Sequence, residues 1–159
     1  MKPANVSELK KELKQHSHNE LIHICLRLAR LKKENKELLT YLLFDANNEH
    51  EYIRTVKEEI DRGFSALNPE SFYFIKKSTR KILRATKRYI RYSKKKETEA
   101  EILLYFCTKL KELNPSYKQN QQMIGIYEQQ LKMATKAIST LHEDLQYDFT
   151  LALEKLEEL

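Results

Sequence analysis

Two glycines and three prolines in 159 residues leave almost nothing from which to build hairpin turns or irregular loops. A chain so poor in turn residues, with apolar positions recurring every three to four residues, is expected to be all-α. The apolar content of 41% supports one domain over residues 1–159, with seven or eight helices stacked as antiparallel pairs in a bundle or a short HEAT-like array.

Caps and periodicity place the elements. A first helix is expected over about Ser7–Lys14, with Val6, Leu9 and Leu13 inward. Ser17-His18-Asn19-Glu20 has the spacing of a capping box and opens a second helix through Lys33, whose stripe is Leu21, Ile24, Cys25, Leu28 and Leu31. A third is expected over about Glu34–Phe44, and Asn47-Asn48 caps a fourth carrying Tyr52, Ile53, Val56, Ile60 and Phe64. Asn68-Pro69 predicts a helix start at about Pro69 that runs to Ser93. A sixth helix spans Glu97–Leu113, and Asn114-Pro115 is expected to start a seventh. Ile82, Leu83, Ile90, Leu103 and Phe106 are the expected core. The two Leu-Asn-Pro signals lie 46 residues apart, within the range of helical-hairpin repeats, but the segments that follow them do not align. A break is expected within His142–Asp148, with Asp148 capping a semi-independent last helix over about 148–159.

Charge is concentrated in one place. Lys76–Lys96 contains eleven Lys and Arg and no acid; the chain as a whole is +6, so the remainder sums to −5. At about 100° per residue, Lys76, Lys77, Arg80, Lys81, Arg84, Lys87, Arg88, Arg91, Lys94 and Lys95 fall within an arc of roughly 140°. Ile75, Thr79, Ile82, Leu83, Ala85, Thr86, Tyr89 and Ile90 fall opposite, so the segment is a long amphipathic helix with one face for the core and one for something else. Tyr73 lies within the basic arc and Tyr92 at its edge. Glu143–Leu159, with six acids against Lys155, is the most acidic piece.

The longest apolar run, Leu38–Phe44, is far shorter than the roughly twenty residues that cross a bilayer. Met1–Lys14 has no apolar signal core, so no secretory signal is expected. Cys25 and Cys107 each lie among apolar neighbours on a helical pattern, as reduced core thiols do, and a cytoplasmic location is expected.

The spacing of Leu9, Leu13, Leu21 and Ile22, the Arg27-Leu28-Ala29 run, the Leu38–Phe44 cluster and the segment Lys57-Glu58-Glu59-Ile60 to Phe64 resemble a family of small bacterial all-helical proteins of unknown function. The resemblance covers residues 7–64. It implies an all-helical fold and no site residues, and the basic helix lies outside it.

No Gly-rich phosphate loop, nucleophile elbow or Cys-His motif occurs, so no catalytic residue and no cofactor is expected. Glu20 and His23 have the i, i+3 spacing of di-iron bundles, but no second copy exists, and His23 is expected to be a partly buried helix residue rather than a metal ligand. The chain is therefore expected to be a non-catalytic interaction or scaffold protein, with no small-molecule substrate, that binds a protein partner or itself. The acidic end and the basic helix could pair between subunits, and Phe149, Ala152, Leu156 and Leu159, at 3-4-3 spacing, form a dimer seam if left uncovered. The alternative is sequence-nonspecific nucleic-acid binding through the basic arc. A third outcome is a solvated basic face partly neutralised by Glu49–Asp61, Glu97–Glu101 and the acidic end.

Overall fold

The computed structural model describes residues 1–158, and among them about 80% are helical and none is in a strand. Eight α-helices follow in order: α1 (Val6–Leu13), α2 (His18–Leu31), α3 (Lys33–Thr40), α4 (Glu49–Ser65), α5 (Phe72–Ser93), α6 (Lys96–Lys111), α7 (Gln121–Ser139) and α8 (Glu143–Glu157). A π-helical turn, Tyr41–Asp45, continues α3, and a 3₁₀ turn, Tyr117–Gln119, precedes α7. The chain divides into two compact units, residues 1–44 and 45–159.

In the first unit α2 and α3 pack side by side. Asn5 and Glu8 form a reciprocal capping box on α1, with backbone contacts of 2.9 and 2.8 Å. At α2, Ser17 Oγ accepts from the Glu20 N–H at 3.2 Å, and the Glu20 carboxylate also accepts from His16 Nδ1 at 2.6 Å. Of residues 1–44, only Ala29 and Tyr41 are buried. Val6, Leu9 and Leu13 are exposed, as are Cys25, Leu28 and Leu31 of the expected inner stripe, so the inward assignment of these residues is corrected.

The second unit is built around α6. Ala100, Ile102, Leu103, Leu104, Phe106, Cys107 and Leu110 are all buried, and α4, α5, α7 and α8 each pack on this helix. A helix that is apolar on nearly every side must be surrounded, and α6 is. Burial pushes the Cys107 thiol up to about 12. Ile82 is also buried, while Leu83 and Ile90 are half-buried at the flanks of α5. α4 and α5 approach closely at Gly63, where an added Cβ would lie 2.6 Å from Ile82 Cγ1.

Both Asn-Pro signals mark turns rather than helix starts. Asn68 Oδ1 accepts from the Glu70 N–H at 3.0 Å, a local turn that uses the cap group two residues on, so α5 begins only after Ser71. Asn114-Pro115 is a cis peptide; the 3₁₀ turn follows, and Asn120 caps α7 through the Gln122 and Met123 N–H groups at 3.1 and 3.3 Å. The last break comes earlier than expected. His142 Nδ1 accepts from the Asp144 N–H at 3.3 Å and starts α8 at Glu143, which leaves Asp148 inside the helix instead of at its cap.

Candidate functional site

The buried face of α5 holds Ile75, Thr79, Ile82 and Thr86, one turn apart, and Ser93 at its end. Packing of that face on α4 and α6 turns the basic arc outward. Lys77, Arg80, Lys81, Arg84, Arg91, Lys94 and Lys95 are exposed, and Lys76, Lys87 and Arg88 are half-buried. From Lys77 to Arg91 the face runs roughly 21 Å at 1.5 Å per residue. Lys94 ends the helix in the left-handed conformation, with φ 58°. In the first turn of α5, Tyr73 and Phe74 are exposed and meet edge to face at 5.3 Å. Tyr92 is half-buried, with its ring 6.2 Å from that of Tyr89.

Few carboxylates reach this face. Lys95 Nζ lies 3.4 Å from Glu49, and Lys76 and Arg80 donate to the neutral Gln122 Oε1 at 3.0 and 3.2 Å. Lys77, Lys81, Arg84, Arg91 and Lys94 make no ion pair among the described residues. Apart from Glu49, five of the acids named in the sequence are engaged elsewhere. Arg54 takes Glu51 and Glu58, Arg62 takes Glu59, Lys57 takes Glu101 at 2.6 Å, and Lys96 takes Glu99 at 2.8 Å. Glu49 also accepts from Ser93 Oγ and, at 2.7 Å, from Thr98 Oγ1, which ties the start of α4 to the α5–α6 junction. The acidic α8 packs on α6 and α7.

The residues of the expected seam on α8 differ in environment. Leu156 is buried and its carbonyl accepts from the Tyr127 hydroxyl at 2.6 Å, Phe149 is half-buried, and Ala152 is exposed. Leu159 lies outside the described residues.

Two polar clusters lie apart from the basic face. At the start of α2, the hydrogen bond from His16 and then that from Ser17 hold the Glu20 carboxyl below its ordinary value of 4.5. His18 and His23 are exposed, the latter against the expectation of partial burial, because it lies on the polar side of α2 with Arg27 and Arg30. Among the described residues no three His, Cys, Asp or Glu are grouped to hold a metal ion. Between α4 and α6, the Tyr105 hydroxyl donates to Asp61 at 2.7 Å, and Lys109 Nζ lies 3.4 Å from the same carboxylate. Burial, followed by the Asp61 hydrogen bond, raises the phenol above its ordinary range, so Tyr105 serves as a neutral donor that joins two helices.

No family model, no curated protein and no solved structure matches the chain.

A second surface feature is apolar, and it includes Val6, Leu9, Leu13, Leu28 and Leu31, which the sequence reading places inward. Eleven large apolar side chains between Val6 and Phe44 are exposed, including Leu28 at 55%, Leu31 at 74% and Phe44 at 75%. The signal for them is present in α2 itself. Leu21, Ile22, Ile24, Cys25, Leu26, Leu28, Ala29 and Leu31 span an apolar arc of roughly 220°, whereas a helix packed on one side needs about 100°.

Proposed function

We propose that the protein is a non-catalytic interaction module, in which residues 1–44 offer an apolar helical surface to a protein partner and residues 45–158 form the scaffold. The observation that carries this reading is the exposure of the Val6–Phe44 apolar set. Covering a Leu-sized side chain is worth about 1.5–3 kcal/mol, so a surface of this kind is a strong site of association. The reading requires no cofactor, metal or small-molecule substrate, and two free thiols support a cytoplasmic setting. Among the described residues no helix is long and apolar enough to cross a membrane. A photo-crosslinking amino acid placed at Leu31 is expected to capture protein in the cell, while the same group at the exposed Lys118 of the second unit captures far less. Equal or absent capture at both positions contradicts the reading.

A second reading, polyanion binding through α5, is favoured by the exposed Lys77, Lys81, Arg84 and Arg91 with α8 packed elsewhere. About six phosphate contacts would give a slope near −5 in log K against log salt on duplex DNA, and Arg84→Glu with Arg91→Glu should abolish binding. Failure of the wild-type protein to be retained on immobilised duplex or RNA at low salt removes this reading.

A further inference from the structure

We infer that the ligand of the basic face is a single-stranded nucleic acid, whose phosphates lie along the cations of α5 and whose bases stack on Tyr73. The inference rests on the polyanion reading above and names its ligand. Tyr73, Lys77, Lys81, Arg84, Arg88 and Arg91 follow one another at 4-4-3-4-3 spacing, which keeps them within roughly 80° of the helix circumference as one ridge along the axis. Successive members rise by about 4.5 to 6 Å, and the whole row covers roughly 27 Å. Lys77, Lys81, Arg84 and Arg91 are exposed and make no ion pair among the described residues. An aromatic ring heads the row. Tyr73 is 66% exposed, and Phe74, 42% exposed, braces it edge to face at 5.3 Å.

Three features select this ligand. The charge is linear: a row of cations at roughly one per 5 Å suits an anion that is itself a chain, and every nucleotide brings one phosphate to it. The ring adds what charge alone lacks. In a duplex each base face is covered by its neighbours except at the ends, whereas an unpaired strand offers its bases to exposed aromatic side chains beside a cationic track. The apolar side of α5 is already used. Ile75, Thr79, Ile82 and Thr86 are buried within the second unit, so the helix has no apolar face left to sink into a lipid surface. Cations on phosphates and stacking on a ring accept any base, so binding is expected to be indifferent to sequence.

The test is fluorescence anisotropy with the full chain, using a labelled thymidylate single strand of about sixteen nucleotides and a labelled duplex of the same length. A face that reads charge alone prefers the duplex, which carries more phosphate per unit length, and the inference expects the reverse order. Tyr73→Ala should raise the dissociation constant for the single strand about tenfold or more and leave that for the duplex within about twofold, with the circular dichroism unchanged because the side chain is exposed. Tyr73→Phe keeps the ring and should bind as the wild type does. Tyr147→Ala, which removes a similarly exposed ring from α8, should leave the affinity unchanged. A duplex bound as tightly as the single strand, undiminished affinity in Tyr73→Ala, or an equal loss in Tyr73→Phe overturns the inference while the polyanion reading stands. Polyglutamate that competes as well as the single strand at equal charge overturns it in favour of an acidic protein. Absence of binding to every probe at low salt removes both the inference and the polyanion reading.

Discussion

Helices α2 and α6 read alike and end differently. Each is apolar over far more than the arc that a single neighbour covers, and in α6 the surplus is consumed, because four helices surround it and seven of its apolar residues are buried. In α2 one residue is buried, and large aliphatic side chains remain open on both sides of it. An all-round apolar helix is stable only when surrounded. The difference between the two measures cover that α2 does not find among the helices of its own unit, which is the physical basis for placing an interface on the first unit.

The comparison can be broken at its strongest point by truncating one leucine in each helix. Leu103→Ala leaves a cavity at a fully buried site and should cost about 2–5 kcal/mol, whereas Leu28→Ala, at an exposed position, should stay within about 0.5 kcal/mol. Denaturant titration followed by circular dichroism checks both. Similar losses at the two positions would mean that Leu28 is already packed.

The glycines sharpen the same contrast between closed and open surface. Gly63→Ala drives a methyl group against Ile82 and should cost about 1–3 kcal/mol, since overpacking outweighs the gain of about 1 kcal/mol from replacing a helical glycine. Gly125→Ala meets nothing within 4 Å in α7 and should stabilise by about 0.5–1 kcal/mol. Melting temperatures that move in the same direction would refute the close α4–α5 approach.

The thiols report the two environments without any substitution. Cys25 is exposed, while Cys107 is buried with its thiol pushed up to about 12, so almost none of it is thiolate at mildly alkaline pH. Mass spectrometry after brief maleimide treatment should find one label on the native chain, at Cys25, and two after denaturation.

What could be read from the sequence divides along physical lines. The helical class, the caps at Asn48 and Ser17 and the outward basic arc of α5 depend on local spacing, and the structure shows each of them. The starts of α5 and α7 lie beyond the Asn-Pro signals because Asn68 and Asn114-Pro115 belong to local turns, and a cap residue followed by proline suits a turn as well as a helix. Burial was legible where many helices converge, as at Leu103 and Phe106, and not at Val6, Leu9, Leu13, Leu28 or Leu31, because an apolar stripe records that a helix wants a partner and not whether the chain supplies one. The basic face was legible as a face. That its neighbouring acids pair with Arg54, Arg62, Lys57 and Lys96 is a matter of tertiary placement, which spacing cannot carry.

The smallest expected effect lies at the start of α2. The folded Glu20 carboxyl is held below 4.5, so its contribution is present above that pH and is lost as pH falls through the lowered value. The first turn of α2 should then fray on acidification, seen in amide chemical shifts at Glu20 and Leu21, and His16→Ala should bring the onset to higher pH. Identical titrations in the two proteins would remove His16 as the cause.

Hydrogen exchange at backbone amides tests most directly whether the apolar arc of α2 is open while that of α6 is closed. Exchange of α2 amides from Ile24 to Leu31 should be fast in the purified chain, while α6 amides from Ile102 to Leu110 exchange slowly. Equally slow exchange in the two helices would contradict the open arc of α2.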